Sequence, residues 1–245
     1  MSLTPLEIVI IGLIFTWIGF VRTGLGFGGA VLGLPILMLV GGSPIDWLPI
    51  IGIHLLFFSS ITLLNSLKQV DWTYLKKSLP WIIPAQMIGV IGLLSLSPII
   101  MIVVVYSITS FYAVTWIINR NIASKKNWVN RLLLIMGGYI SGTSLMGGAL
   151  LVAVYAANIE VSKLRNTLFV LWFIIVSIKM AAFLFVGVYI DWKFSLMLIP
   201  VAGLGHVIGL KVHDQLVKND AKFKRWIGGA LLLVCIIGLT KVVNL

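Results

Sequence analysis

Four side chains that can carry charge or move a proton stand inside otherwise apolar runs. They are Arg22 in GFVRTGLGFGG, His54 in IIGIHLLFFSS, Lys179 in FIIVSIKMAAFLF and His206 in AGLGHVIGL. A lysine in the middle of a membrane helix costs about 2.5 to 3.5 kcal/mol on insertion scales, so it is expected to face a cavity or to snorkel. Lys179 has no acidic residue within four positions of it and lies well inside its segment, which favours the cavity. The histidines suit proton transfer near neutral pH. Gln86 in IPAQMIGV is the counterpart of His206 when the chain is laid on itself, and matching polar positions are a mark of a site at a repeat interface. The counterpart of His54 is the apolar Ile174 or Phe173, which makes it the weaker proton carrier. Ser59, Ser60, Thr62 and Asn65 continue a polar stripe on the His54 segment, and such residues commonly serve as packing glue.

A second group of residues could bind anions through the backbone. Gly28 and Gly29 close the stretch RTGLGFGG, and Gly147 and Gly148 close SGTSLMGG. Each GGA triplet is read as the start of a helix, where exposed N–H groups and the helix dipole favour negative charge and glycine lets a ligand approach closely. Thr23 and Arg22 would add donors to the first turn, and Ser141, Thr143 and Ser144 to the second. Close packing of small residues is the competing explanation of such glycines.

These residues need a membrane scaffold around them. Of the 245 residues 60% are hydrophobic and 10% charged, and the mean hydropathy is +1.12, a composition that leaves no ordinary water-exposed surface. The net charge of +11 does not mark a nucleic-acid binder, because the Lys and Arg gather in short loops between apolar segments, where they set orientation. The one cysteine, Cys235, lies in ALLLVCIIGL and supports neither a disulfide nor a thiolate metal site. The N-terminal MSLTPLEIVIIGLIF lacks a basic leader and a cleavage site, so the first helix is expected to be retained. HExxH, GxSxG, Walker and CxxC signatures are absent and the acidic residues fall at segment ends, which argues against an enzyme. No cofactor or metal is expected.

At a shift of about 120 residues the chain matches itself. VDW at Val70 to Trp72 meets IDW at Ile190 to Trp192, Pro80 meets Pro200, and the two GGA triplets meet when the shift is one smaller. The predicted architecture is an all-α membrane protein of two repeats, residues 1–121 and 122–245, within a single membrane domain. Each repeat has about five helical segments and opens with a Gly-rich half-span hairpin, giving eight to ten membrane segments in all. The segments are expected near 6–22, 28–41, 47–67, 79–96 and 98–118, then 132–142, 147–158, 166–188, 193–212 and 226–243. Both segments of the second hairpin are too short for the roughly 30 Å of a bilayer core. Hairpin tips at that depth survive only when buried or lining a wet cavity.

An odd number of segments per repeat inverts the second copy relative to the first. Charge agrees: with the 119–131 linker cytoplasmic, all of the 18 Lys and Arg except Arg22, Lys179, Lys193 and Lys241 fall on that side. Both termini are then outside, and Trp47, Trp72, Trp192 and Trp226 near segment ends form an interfacial belt.

With GFVRTGLGFGGAVLGLPIL and GGYISGTSLMGGALLV each opening a half, and SKLRNTLFVLWFIIVSI following the second, the chain resembles the sulfite exporter TauE/SafE family of bacterial membrane proteins. The resemblance covers essentially the whole chain and includes Lys163, Arg165 and Thr167 after the second hairpin. It implies export of small anions, with sulfite and organosulfonates such as sulfoacetate as substrates, along a pathway between the repeats. It also implies a multi-pass protein of the bacterial inner membrane. Two positions depart from the family pattern: Arg22 replaces a small polar residue, and TSLMGG carries less glycine than is usual. The expected function is a secondary transporter that exports a small anion by alternating access. A carrier of another solute or a cation, and a non-transport assembly or lipid-handling protein, are the alternatives. The expected partners are a small anion and the lipid bilayer, with no nucleic acid; a homodimer stays open.

Overall fold

The computed structural model describes residues 4–25, 28–64, 67–118, 126–218 and 220–243. Among them there are ten α-helices, a single 3-10 turn at Leu67–Gln69 and no strands. The helices are α1 (Pro5–Leu25), α2 (Gly29–Val40), α3 (Pro44–Leu63), α4 (Trp72–Ser95), α5 (Pro98–Ile117), α6 (Asn127–Ser144), α7 (Gly148–Asn158), α8 (Val161–Val186), α9 (Trp192–Lys218) and α10 (Asp220–Val243). Seven stretches, all but α2, α6 and α7, are long and apolar enough to cross a membrane. The chain is a multi-pass membrane protein, and the order of long and short helices is the same in α1–α5 and α6–α10.

Four of the seven acidic residues are used where helices begin. Thr4 and Glu7 form a capping box around Pro5: the Thr4 N–H and hydroxyl donate to Glu7 Oε2 at 2.7 and 2.8 Å, and the Glu7 N–H returns to Thr4 Oγ1 at 3.3 Å. Ser43 and Asp46 repeat it around Pro44, the Ser43 N–H and hydroxyl reaching Asp46 Oδ2 at 2.7 and 2.8 Å. Asp71 accepts from the Tyr74 N–H and Asp191 from the Phe194 N–H, both at 2.9 Å, at matching starts of α4 and α9. Acidic residues at helix starts are stabilised by the dipole, which is why these four are not spent inside the membrane.

The chain divides into two compact units that cut across its halves. One comprises residues 1–50, 97–120 and 191–245, and the other residues 51–96 and 121–190. In the first unit α1 crosses α9 in the longest helix contact, and α10 packs on α5 and α2. A Cβ at Gly19 would collide with the Ala202 carbonyl, one at Gly205 with the Thr16 carbonyl, and one at Gly209 would lie 2.6 Å from the Phe20 carbonyl. In the second unit α4 crosses α6 in the same way. Gly138 faces the Ile82 carbonyl, Gly142 the Gln86 carbonyl and Gly89 the Tyr139 carbonyl. Without a hydrophobic drive between helices in lipid, backbone proximity of this kind holds them together.

Three expectations are corrected. The segment expected at 132–142 is the 18-residue helix Asn127–Ser144, because Asn127, Asn130 and Arg131 extend a helix beyond its apolar stretch without breaking it. Only α2, of 12 residues, and α7, of 11, stay near half a bilayer span. The basic stretch expected as a loop at 211–225 is helical backbone through Lys218 and again from Asp220, while the apolar spans Trp192–Val212 and Arg225–Val242 sit where expected. Trp47 is not an interfacial residue: it is buried, and its indole N–H donates to the Gly41 carbonyl at 2.7 Å. Trp72, Trp192 and Trp226 are exposed. Asn65 and the 119–125 part of the linker lie outside the described residues.

Candidate functional site

In the second unit the polar candidates gather where α6 ends and α7 begins. Lys179, on α8, is 0% exposed, and its Nζ donates to the Gly142 carbonyl at 2.7 Å. Gly142 belongs to the last turn of α6, whose carbonyls lack intrahelical donors, so the lysine closes that helix at the negative end of its dipole. The Phe183 ring, with its centroid 5.5 Å from Nζ, offers the amine an aromatic face. Gln86, also 0% exposed, donates through Nε2 to the Ile175 carbonyl at 2.6 Å. Its Oε1 is buried without a hydrogen-bond partner. Thus Gln86 ties α4 to α8 one turn before Lys179 ties α8 to α6.

Around them Ser141, Thr143 and Ser144 are buried. The Thr143 and Ser144 hydroxyls both donate to the Ile140 carbonyl at 3.0 Å, so they would have to rotate to serve a ligand. Ser141 and Gly147 are brought together, since a Cβ on Gly147 would strike both Ser141 Oγ and the Gly137 carbonyl. Gly147 precedes α7 without a side-chain cap, and Gly148 is the first, buried residue of that helix. Between the end of α6 and Gly147 the chain turns through Leu145, which holds a left-handed φ of 59°; its N–H donates to the Ser141 carbonyl at 3.0 Å. His54 is buried on α3 in this unit.

In the first unit the matching turn is built from other residues. Arg22 and Thr23 are both buried near the end of α1. Gly28 takes a left-handed φ of 86° ahead of Gly29, the first residue of α2, and no side chain caps that helix either. A Cβ on Gly29 would lie 3.2 Å from Arg22 Cβ, which puts the arginine beside the start of α2. Thr23 Oγ1 and His206 Nδ1 share a hydrogen bond at 2.6 Å. The expected residues therefore divide between the units: Arg22, Thr23, Gly28, Gly29 and His206 in one, the rest in the other.

Paired helix breaks, each with a short buried helix after it, are the features on which the resemblance rested, and the family comparison decides it. The family model of the sulfite exporter TauE/SafE family matches residues 10–238. The chain belongs to this family. No curated protein and no solved structure matches the chain. As a TauE/SafE protein it is a membrane transporter, and its apolar helices place it in a lipid bilayer.

Some contacts at the site were not expected from sequence. Lys179 donates to the Gly142 carbonyl and Gln86 to that of Ile175. Tyr155 on α7 shares a hydrogen bond with Ser78 on α4. Thr167 Oγ1 accepts from the Asp71 N–H at 2.9 Å and donates to the Lys163 carbonyl at 2.8 Å. The register that aligned Gln86 with His206 was the available signal, because both sit at the same point of their helix crossings.

Proposed function

We propose that this transporter exports a small oxyanion or sulfonate, sulfite among them, by alternating access of two inverted repeats, residues 1–121 and 122–245. The carrying observation is Lys179, fully buried in an apolar helix. Lys163 pairs with Glu160 at 3.7 Å, whereas Lys179 has a carbonyl and an aromatic ring as its neighbours. An ammonium has three donors, and a bound anion would supply what one carbonyl does not. The proposed contacts are Lys179, Ser141, Thr143, Ser144 and the Gly147 and Gly148 backbone at the start of α7. Arg22, Thr23, Gly28 and Gly29 act at the start of α2. His206 is the leading carrier of a coupling proton and His54 a further candidate, while Gln86 joins a proton path only as a hydrogen-bonding amide at the position matching His206. The matched glycine-to-carbonyl crossings support the repeat reading, and the bias of Lys and Arg supports a cytoplasmic linker in a bacterial inner membrane.

Anion flux in proteoliposomes tests the reading. Sulfite, sulfate, sulfonates and carboxylates are compared with and without a pH gradient. Movement of at least one oxyanion is expected, with a pH dependence that His206→Gln flattens. If no anion moves and none raises the unfolding temperature, the proposal fails. Cysteine labelling that places residues 119–131 and 211–225 on opposite faces would overturn the inverted topology.

A further inference from the structure

Within the second unit, away from the Lys179 cluster, a pocket of about 100 Å³ opens between the first turns of α4 and α6 and the last turn of α7. Its volume is well below the roughly 300 to 1,000 Å³ of a site for a drug-sized ligand, and it suits a phosphate group with a few further atoms. Lys77 and Arg131 line it, with Asn127, Asn130 and Asn158, and no carboxylate does. The Arg131 guanidinium stacks over the Trp81 ring at 5.0 Å from its centroid, which fixes the charge at the mouth. Helix α6 begins at the same place, and its N-cap residue, Lys126, forms no side-chain cap, so the N–H groups of the first turn add to the positive potential.

The second observation is Asn130. This side chain is 7% exposed, lines the pocket, and its Oδ1 has no hydrogen-bond partner. Buried amide oxygens are rarely left so. Its neighbour Ser78 is satisfied, donating to the Leu75 carbonyl at 2.8 Å and sharing a hydrogen bond with Tyr155. The pocket therefore presents two cations for an anion and one buried acceptor for a hydroxyl.

We infer that this pocket binds a phosphate ester that carries hydroxyl groups, with Lys77 and Arg131 on the phosphate and Asn130 Oδ1 accepting from a hydroxyl. The anionic phosphoglycerol headgroup of a lipid has this chemistry, and so does free glycerol phosphate. The exposed rings of Trp72 and Trp128 at the starts of α4 and α6 place the pocket at headgroup depth, and basic pockets between membrane helices are suited to anionic headgroups. The inference does not depend on which solute the protein transports.

Thermal unfolding of the full chain in neutral detergent tests it, with short-chain phosphatidylglycerol, phosphatidylcholine, glycerol phosphate or inorganic phosphate added. A saturable rise in unfolding temperature with phosphatidylglycerol and none with phosphatidylcholine is expected. The paired variant Lys77→Gln with Arg131→Gln should weaken that response at least tenfold. Asn130→Asp should do the same by setting a carboxylate against the phosphate. Lys76→Gln, an exposed lysine on the same helix outside the pocket, should leave it unchanged. Saturation by glycerol phosphate at similar concentration would support the site and assign it to the soluble ester. Equal responses to the two lipids, a response to inorganic phosphate alone, or an undiminished response in a paired variant that unfolds normally without lipid, would overturn it.

Discussion

The α1–α9 crossing and the α4–α6 crossing use one backbone design and two different sets of polar residues. Gly19 meets the Ala202 carbonyl as Gly138 meets that of Ile82, and Gly209 meets Phe20 as Gly89 meets Tyr139. At the helix breaks that follow, the first crossing sets Thr23 against His206, with Arg22 carried by the broken helix itself. In the second, glycine stands where Thr23 stood, and the cation, Lys179, comes from α8. The contact that cannot change without moving backbone is duplicated, while the contacts made by side-chain ends differ. Packing constrains the first kind, and only the chemistry of the site constrains the second.

The largest effect should come from breaking the shared design. Gly19→Val and Gly138→Val each force a side chain onto a backbone carbonyl of the facing helix. Overpacking against atoms that cannot move aside costs about 1 to 3 kcal/mol and occasionally more. Both variants should lose stability by about 3 kcal/mol, to a similar extent, in thermal or chemical unfolding in detergent. Gly229→Ala, on an α10 face with nothing within 4 Å, serves as the control and should be neutral or gain up to about 1 kcal/mol. If one crossing tolerates valine and the other does not, they are not equivalent scaffolds.

Lys179→Met is expected to have a smaller effect on stability and a larger one on flux. Methionine keeps much of the side chain's bulk, so the structural loss is that of a donor to the Gly142 carbonyl, about 1 to 3 kcal/mol. Anion flux should fall at least 100-fold in proteoliposomes. If flux survives in a folded Lys179→Met protein, the lysine only closes the end of α6, and the anion reading must rest on Arg22 and the first break.

Element order was legible because its signals are local. Apolar runs separated by polar or Gly-rich breaks gave the segments, and the self-match carried that order across the chain; the caps at Thr4, Ser43, Asp71 and Asp191 were seen only in the structure. The beginning of α6 was not legible, since Asn130 and Arg131 end the apolar pattern without ending the helix. Trp47 misled because its position near a helix start suggests an interface, whereas its partner, the Gly41 carbonyl, is fixed by a turn that composition does not reveal. The site was legible as residue types and only partly as geometry. Lys179 stood out by its cost in an apolar run, but its partner is a backbone carbonyl on another helix, and no side-chain pattern encodes that. Thr23 and His206 could be nominated separately, yet their hydrogen bond depends on how α1 crosses α9.

The smallest expected effect separates the two turns themselves. Gly28 supplies the left-handed residue before α2, whereas Leu145 supplies the one that ends α6, with φ of 86° and 59° respectively. A non-glycine residue in that region costs roughly 1 to 2 kcal/mol, and asparagine is among the side chains that tolerate it and serve at helix ends. Leu145→Asn should therefore recover about 1 kcal/mol of backbone strain and lose part of it again through the half-buried leucine side chain. A net change within about 1 kcal/mol is the expected result in thermal unfolding. A much larger loss would mean that packing of Leu145, and not the backbone, holds the second turn in place. In that case the strained leucine is retained for the shape it gives to the start of α7, and the reduced glycine content of TSLMGG belongs with the site-specific differences between the crossings.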